Sequence, residues 1–253
     1  TEAKLALGGL LLDMGSFEAA DELYTSLARS GRTTSGRAVT VAGRLGRVEA
    51  LVGLGRLDDA EVQLEALTDE VRETASARIT AARLALAQGR NGEAVQALQP
   101  LARGEGPAPS VLALYADALL AVGQAEPAAE AYAAALEADA GLPEALLGQA
   151  ELAVRSERED DALELLERTA RIFEQRIRPP SMHARLHTLV GRAQLLQGRS
   201  GAEAARASLR RAIETEAAPP EAHFFLGEAL AGENSPESRA SYERYLELAP
   251  EGA

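Results

Sequence analysis

The sequence predicts an all-α protein that is built from repeated pairs of helices. Hydrophobic residues make up 46% of the 253 residues and aromatic residues only 4%, so a core would consist mainly of Ala and Leu, which are strong helix formers. Small residues also recur at a nearly constant interval along the chain. A glycine suited to a turn precedes several of these small residues.

A small residue marks the front of the second helix in each predicted pair. Three consecutive intervals between these residues are 34 residues long, and the other intervals are 33, 40 and 43 residues. The row consists of Ala20, Ala60, Ala94, Ala128, Ala162, Ala205 and Ser238. A second row follows four positions later, which places it on the same helical face. Its members are Tyr24, Leu64, Leu98, Tyr132, Leu166, Leu209 and Tyr242.

The first helix of each pair carries a small or slim residue that lets the two helices approach closely. These residues are Gly8, Val48, Ala82, Ala116, Ala150, Gly191 and Gly227. Between the two helices of the first four pairs stands a turn glycine, namely Gly15, Gly55, Gly89 and Gly123. In the fifth pair Glu157 takes this place. Each unit is therefore predicted to be helix, tight turn, helix.

These features resemble the tetratricopeptide repeat (TPR) of bacterial proteins. The first unit carries Leu7, Gly8, Leu11, Gly15, Ala20 and Tyr24 of its pattern, and the last carries Leu226, Gly227, Tyr242 and Pro250. The resemblance implies a right-handed superhelical solenoid of helix-turn-helix repeats. We expect one solenoid over residues 1–253, with about seven repeats at 1–34, 41–74, 75–108, 109–142, 143–176, 184–217 and 220–252.

Two insertions lengthen the spacing of the array. The first falls within residues 29–40, where the polar run from Ser30 to Arg37 predicts a loop. The second is shared between residues 177–181 and the turn Gly198–Gly201. We interpret both as hinges or longer helices, and not as domain boundaries.

Composition and motifs argue against several classes of function. The formal net charge of −13 opposes binding to nucleic acid or anionic membranes, and the absence of Cys excludes disulfides and thiol chemistry. No apolar run reaches membrane-spanning length. His183 and His187 have the spacing of a metal pair, but no third ligand is spaced with them. We therefore predict a protein that is not an enzyme, with no catalytic residue, no metal and no cofactor.

The resemblance implies that the first helices line a concave groove for a protein partner. In this chain charged residues lie along the middle of that face and apolar residues flank them. The acidic residues outnumber the basic ones, so we expect a peptide or amphipathic helix that is apolar with some basic residues. The predicted binding residues are Leu5, Leu45, Glu49, Ile79, Arg83, Asp117, Leu147, Glu151, Arg192, Phe224 and Glu228.

Three hypotheses about function remain open at this stage. The first is a non-catalytic scaffold or adaptor that binds a partner segment in the groove. The alternative is a periplasmic or outer-membrane lipoprotein, similar to the TPR pilotins, that assists assembly of a type IV pilus, a secretion system or a polysaccharide exporter. The third is a regulatory domain of an enzyme. The sequence does not identify the compartment, for which cytoplasm and periplasm both stay open. Apolar residues of the last repeat, such as Tyr242 and Tyr245, predict self-association through this repeat.

Overall fold

The computed structural model describes residues 2–29, 34–175, 178–215, 217–233 and 235–249. Within these ranges the chain forms fifteen α-helices and no strand. The helices are α1 (Glu2–Asp13), α2 (Phe17–Ala28), α3 (Thr34–Gly53), α4 (Leu57–Glu65), α5 (Asp69–Arg72), α6 (Ala75–Ala87), α7 (Asn91–Ala102), α8 (Pro109–Ala121), α9 (Ala125–Ala138), α10 (Pro143–Arg155), α11 (Glu159–Phe173), α12 (Pro180–Leu196), α13 (Ala202–Ile213), α14 (Pro220–Leu230) and α15 (Pro236–Leu248).

Consecutive helices pack as seven helical hairpins, and the prediction of an all-α repeat fold is confirmed. The pairs are α1 with α2, α3 with α4, α6 with α7, α8 with α9, α10 with α11, α12 with α13, and α14 with α15. The hairpins belong to two compact units, Thr1–Ala138 and Asp139–Ala253. A single solenoid running through both units stays a prediction.

The small-residue rows meet inside the hairpins, where the two helices leave no room for larger side chains. All six alanines of the second-helix row, from Ala20 to Ala205, have no exposed surface. A Cβ atom built on Gly8 would lie 2.5 Å from the ring of Tyr24, and one built on Gly191 would lie 2.5 Å from Leu209. The two helices of a hairpin therefore approach too closely for a larger residue at these positions.

Proline and glycine set the beginnings of helices and the turns between them. Five helices, α8, α10, α12, α14 and α15, begin with a proline, whose missing N–H costs nothing in the first turn. The four predicted turn glycines have φ between 71° and 80°. Glu157 takes up the same left-handed conformation with φ 56°, and it is the single non-glycine residue with positive φ in the described ranges.

The insertions are partly helical. Helix α3 begins at Thr34, so the loop prediction is wrong for residues 34–37, because the added residues extend α3 to 20 residues. The second insertion lengthens α12 to 17 residues and adds a short 3₁₀ turn at Gly198–Ser200. Residues 30–33, Ile177 and Pro250, which also carried predictions, lie outside the described residues.

Candidate partner-binding site

Five of the predicted binding residues surround one pocket in the first unit. Helix α1 contributes Leu5, α3 contributes Leu45 and Glu49, and α6 contributes Ile79 and Arg83. We call this cavity of about 700 Å³ the first-unit pocket. Residues 45 and 49, like 79 and 83, are four apart on one helix, so each helix presents one apolar and one charged side chain to the cavity.

The wall of the first-unit pocket is mainly aliphatic and the polar groups lie at one side. Leu45 is 8% exposed and its neighbours Val41, Ala42 and Ile79 are half-buried. Glu49 forms an ion pair with Arg83 at 3.1 Å and accepts a hydrogen bond from the Thr80 hydroxyl at 3.3 Å. Both charged side chains stay partly in contact with solvent, so this pair contributes about 0.5 kcal/mol and a partner's charge can replace it.

Tyr24 is a residue of the first-unit pocket that the sequence interpretation assigned to helix packing alone. Its ring is 5% exposed and lies between Gly8 of α1 and Gly46 of α3, where a Cβ atom would come within 2.5 Å on either side. Burial raises the pKa of the Tyr24 phenol, and the nearby carboxylates of Glu49 and Asp13 raise it further. The phenol therefore stays protonated at neutral pH and can donate a hydrogen bond into the pocket.

Two equivalent tyrosines donate their hydroxyl hydrogens to predicted binding residues. Tyr132 donates to Asp117 at 2.7 Å, and Tyr242 donates to Glu228 at 2.6 Å. In each case the carboxylate stands one residue after the small residue of the first helix. The corresponding residue before Tyr24 is Gly9, which has no side chain to accept a hydrogen bond.

A second pocket lies in the second unit. Its cavity of about 400 Å³ is lined by Arg192 of α12, by Phe224 and Glu228 of α14, and by Arg155 of α10; we call it the second-unit pocket. The Arg192 guanidinium lies 4.7 Å from the centre of the Phe225 ring. Burial lowers the pKa of Arg192, while Glu151 opposes this shift.

Phe224 and Phe225 line the second-unit pocket, and two tyrosine rings pack on Phe224. The centre of the Phe224 ring lies 5.8 Å from that of Tyr242 and 5.3 Å from that of Tyr245. Burial raises the pKa of Tyr242 to about 12, with a further contribution from its hydrogen bond to Glu228. Four of the nine aromatic residues of the chain, Phe224, Phe225, Tyr242 and Tyr245, thus belong to the last hairpin.

Glu151 belongs to a network of charges in the second unit. Its carboxylate contacts Arg155 at 2.7 Å and Arg185 at 3.1 Å, and its side chain is 16% exposed. Burial by itself would raise the pKa of Glu151, but the two arginines lower it below its ordinary value. Glu151 is therefore ionised and already neutralised within the chain, which weakens the expectation that it recruits a basic partner.

The structure changes the role of Leu147. Its side chain has no exposed surface and packs in a core cluster with Ala150, Leu186 and Leu189. Leu147 cannot contact a partner in this arrangement, and we remove it from the binding set. Residue 147 lies on the face of α10 that packs against the following hairpin. The repeat pattern alone does not distinguish this buried face from an exposed one.

The histidines and the apolar helices show no additional site. His183 packs edge to face on Phe173, and burial lowers the pKa of His187, with Arg211 and His183 adding to the shift. Among the residues that the structure describes, no three His, Asp or Glu side chains group as metal ligands would. None of the described helices combines the length and the apolar character that crossing a bilayer requires.

Solved structures of known proteins share the fold. A thermophilic TPR protein from Thermus thermophilus is 22% identical, with a TM-score of 0.57 over 69% of this chain and 91% of that one. A tetratricopeptide repeat protein from Parabacteroides merdae is 12% identical, with a TM-score of 0.64 over 99% and 94%. The Cut9–Hcn1 hetero-tetramer of the APC/C contains a chain with 10% identity and a TM-score of 0.70, over 96% of this chain and 51% of that one.

No curated protein matches the sequence. A family model described as tetratricopeptide repeat matches residues 5–71, 45–109, 114–177 and 190–253, which together cover most of the chain. TPR proteins bind protein partners, and the family is typically a non-catalytic interaction scaffold. Both the resemblance in sequence and the solenoid fold class are confirmed, and the chain belongs to the tetratricopeptide repeat family.

Proposed function

We propose that the chain is a non-catalytic scaffold, and that a segment of a protein partner binds to the first helices of its hairpins. The observation that carries this proposal is the first-unit pocket, an aliphatic cavity of about 700 Å³ with an ion pair at one side. A cavity of this size accepts one or two large apolar side chains. An amphipathic helix or an extended peptide supplies such side chains at regular spacing.

The charges around the first-unit pocket favour a basic residue beside the apolar one. Glu49 is 27% exposed and Arg83 is 49% exposed, so the more buried member of the pair is the acidic one. A Lys or Arg of the partner would compete with Arg83 for Glu49, and the net charge of −13 would attract such a segment from solution. The Tyr24 hydroxyl offers a hydrogen bond to a backbone carbonyl of the same segment.

A phage-displayed library of random peptides tests this proposal, because selection from such a library does not require an identified partner. We expect the chain to enrich peptides in which a large apolar residue stands close to Lys or Arg. Ala38 lines the pocket and is itself exposed, so Ala38→Phe fills the cavity without removing any buried group. This variant should lose the enriched peptides by at least about tenfold in affinity.

The matched control is Ala19→Phe, an exposed alanine of α2 in the same unit that does not line the pocket. Ala19→Phe should bind the selected peptides as the wild type does, and far-UV circular dichroism should show equal helix content for both variants. If Ala38→Phe retains full binding, or if both variants lose it equally, the first-unit pocket is not the binding surface.

A further inference from the structure

The first helix leaves exposed a face that is buried in every later first helix. Leu10 stands two residues after the small residue Gly8, and it is 48% exposed. The residues at the same position of the later hairpins are at most 8% exposed. They are Ala50, Leu84, Ala118, Leu152, Ala193 and Ala229.

At two of these positions, one in each unit, the preceding second helix packs on the residue. Ala50 of α3 packs in one cluster with Ala20 and Leu27 of α2. Ala229 of α14 packs with Ala205 and Leu209 of α13. The uncovered face continues on both sides of Leu10, because Leu7 of α1 is 47% exposed and Met14, directly after α1, is 46% exposed. Leu7, Leu10 and Met14, with the exposed Ala3 and Ala6, form what we call the head face.

The last helix, α15, also leaves apolar side chains exposed. Leu246 of α15 is 73% exposed, and Leu248 is 38% exposed. The residues equivalent to Leu246 in two earlier second helices are Ala170 of α11 and Ile213 of α13. Both are partly buried, and each packs against a core cluster to which the following first helix contributes. Leu246 and Leu248, with the half-buried Tyr242 and Tyr245, form the tail face.

Two equivalent arginines, one on α13 and one on α15, also differ in exposure. Arg206 of α13 is 15% exposed and its Nε donates a hydrogen bond of 3.0 Å to the carbonyl of Ala229, near the end of the next first helix. Arg239 occupies the same position on α15, but its side chain is 84% exposed and pairs with the exposed Glu243 of its own helix. The carbonyl of Leu10 is the counterpart of the Ala229 carbonyl on α1.

From these matching faces we propose that the tail face of one copy binds the head face of a second copy, in the register that joins successive hairpins within the chain. In the register of α13 on α14, Leu209 packs in one cluster with Leu226 and Ala229, and Ile213 packs against that cluster. Carried over to two copies, Tyr242 and Leu246 take the places of Leu209 and Ile213, and Leu7 and Leu10 take the places of Leu226 and Ala229. The register of α2 on α3 does not fit, because α3 has Gly43 and Gly46 at positions where a Cβ atom would lie 2.8 Å or less from its neighbours, and α1 has alanines there.

A second copy is the occupant because one chain supplies both halves of the junction. The head face needs a preceding second helix and the tail face needs a following first helix, and α15 and α1 of two copies satisfy both needs together. Such an interface is heterologous, since different surfaces of the two copies meet. Association therefore continues past a dimer unless the rotation between copies closes a ring.

Sedimentation velocity over a range of concentrations tests the proposal with two variants. Leu10→Glu places a charge in the head face and Leu246→Glu places one in the tail face. Because both leucines are exposed within the chain, neither substitution should reduce the helix content. We expect the wild type to grow in mass with concentration, and each variant alone to weaken this association at least about tenfold.

An equal mixture of the two variants gives the sharpest result. Leu10→Glu keeps an intact tail face and Leu246→Glu keeps an intact head face, so the mixture should form a one-to-one dimer that does not grow further. Val62→Glu is the control, because Val62 is 60% exposed on α4 and belongs to neither face. It should associate as the wild type does.

Three results would overturn the proposal. The first is a wild type that stays monomeric at every concentration, as expected if another protein or another segment of a longer chain covers these faces. The second is association that Leu246→Glu abolishes and Leu10→Glu does not, which would mean that two tail faces meet. The third is a mixture of the variants that remains monomeric while the wild type associates.

Discussion

The two pockets have the same repeated framework but different chemistry. In the first-unit pocket the residue after the small position of α1 is Gly9, so no carboxylate at this position accepts the Tyr24 hydrogen, and the ring stays beside an open aliphatic cavity. In the second unit the same position of α14 is Glu228, which accepts the hydrogen of Tyr242, and Phe224 packs on that ring. A single position of the repeat thus decides whether the first helix of a hairpin offers a carboxylate to the tyrosine of the second helix.

The largest effect that we expect comes from a glycine of the second unit with no equivalent in the first. A Cβ atom on Gly201, at the inserted turn before α13, would lie 1.9 Å from the backbone oxygen of Gln194. Gly201→Ala must displace the backbone of α12 or α13, and we expect it to lower the free energy of unfolding by about 3 kcal/mol. Urea denaturation followed by circular dichroism measures this change.

Gly92→Ala is the control for this substitution, since a Cβ atom on Gly92 of α7 meets no atom within 4 Å. Alanine is the better helix former, so this variant should be more stable than the wild type by about 0.5 kcal/mol. A Gly201→Ala variant as stable as the wild type would mean that the inserted turn relaxes freely.

The next comparison concerns the glycines that face Tyr24 and Tyr242. A Cβ atom on Gly46 would lie 2.4 Å from the Tyr24 ring, and Gly8 confines the ring on its other side. Gly46→Ala should therefore lower the free energy of unfolding by about 2 kcal/mol, although alanine favours the helix.

In the second unit Gly227→Ala brings a Cβ atom to 2.8 Å from Tyr242, a half-buried ring that can turn outward. Gly227→Ala should be close to neutral in the same urea experiment, and equal losses would contradict the difference between the two pockets.

Much of the fold could be predicted because periodic packing leaves a periodic sequence. The alanines from Ala20 to Ala205 are small since two helices cross there, and this requirement repeats with each hairpin. The start of α3 could not be predicted in the same way, because residues 34–37 read Thr-Ser-Gly-Arg, a composition typical of a loop and not of a helix.

Part of the site was also visible in the sequence. The ion pair of Glu49 with Arg83 and that of Glu151 with Arg185 each join residues 34 apart. Glu49 and Arg83 hold the same position of two successive first helices, whereas Arg185 lies two turns before Arg192, the equivalent of Glu151, because an insertion separates α10 from α12. A search for opposite charges at this interval would have found both pairs. The burial of Leu147 and the confinement of Tyr24 depend on distances between helices, and the pattern of residue types does not fix these distances.

The tyrosine and carboxylate pair of the second unit predicts a pH dependence. The pKa of Tyr242 is about 12 in the folded chain, against an ordinary value of 10.0. Because the raised pKa favours the protonated phenol in the folded state, its stabilising effect is complete below pH 10 and is lost as the pH rises through about 12. Titration of phenolate absorbance, compared between the wild type and Tyr242→Phe, isolates this group.

Glu228→Gln tests the origin of the shift. The substitution removes the negative charge that opposes ionisation, so the pKa of Tyr242 should fall toward 10, but not reach it, because burial is the largest cause. In the first unit Glu49→Gln should lower the pKa of Tyr24 for the same reason. If Glu228→Gln leaves the high-pH titration unchanged, Glu228 does not accept the Tyr242 hydrogen in solution.

The smallest effect concerns the turns within the hairpins. The first unit uses glycine at positive φ in all four hairpin turns, whereas the second unit uses Glu157 with φ 56° between α10 and α11. A residue with a Cβ atom is strained in this conformation, by about 1 kcal/mol, and glycine is not. Glycine also makes the unfolded chain more flexible, which offsets part of the gain. Glu157→Gly should therefore raise the free energy of unfolding by about 0.5 kcal/mol. The stability of Glu157→Asn should lie between those of the wild type and Glu157→Gly, because asparagine tolerates left-handed backbone.

Glu157→Ala is the control, because it removes the carboxylate but keeps the strain. It should be no more stable than the wild type in the same urea experiment, and a gain as large as that of Glu157→Gly would assign the effect to charge.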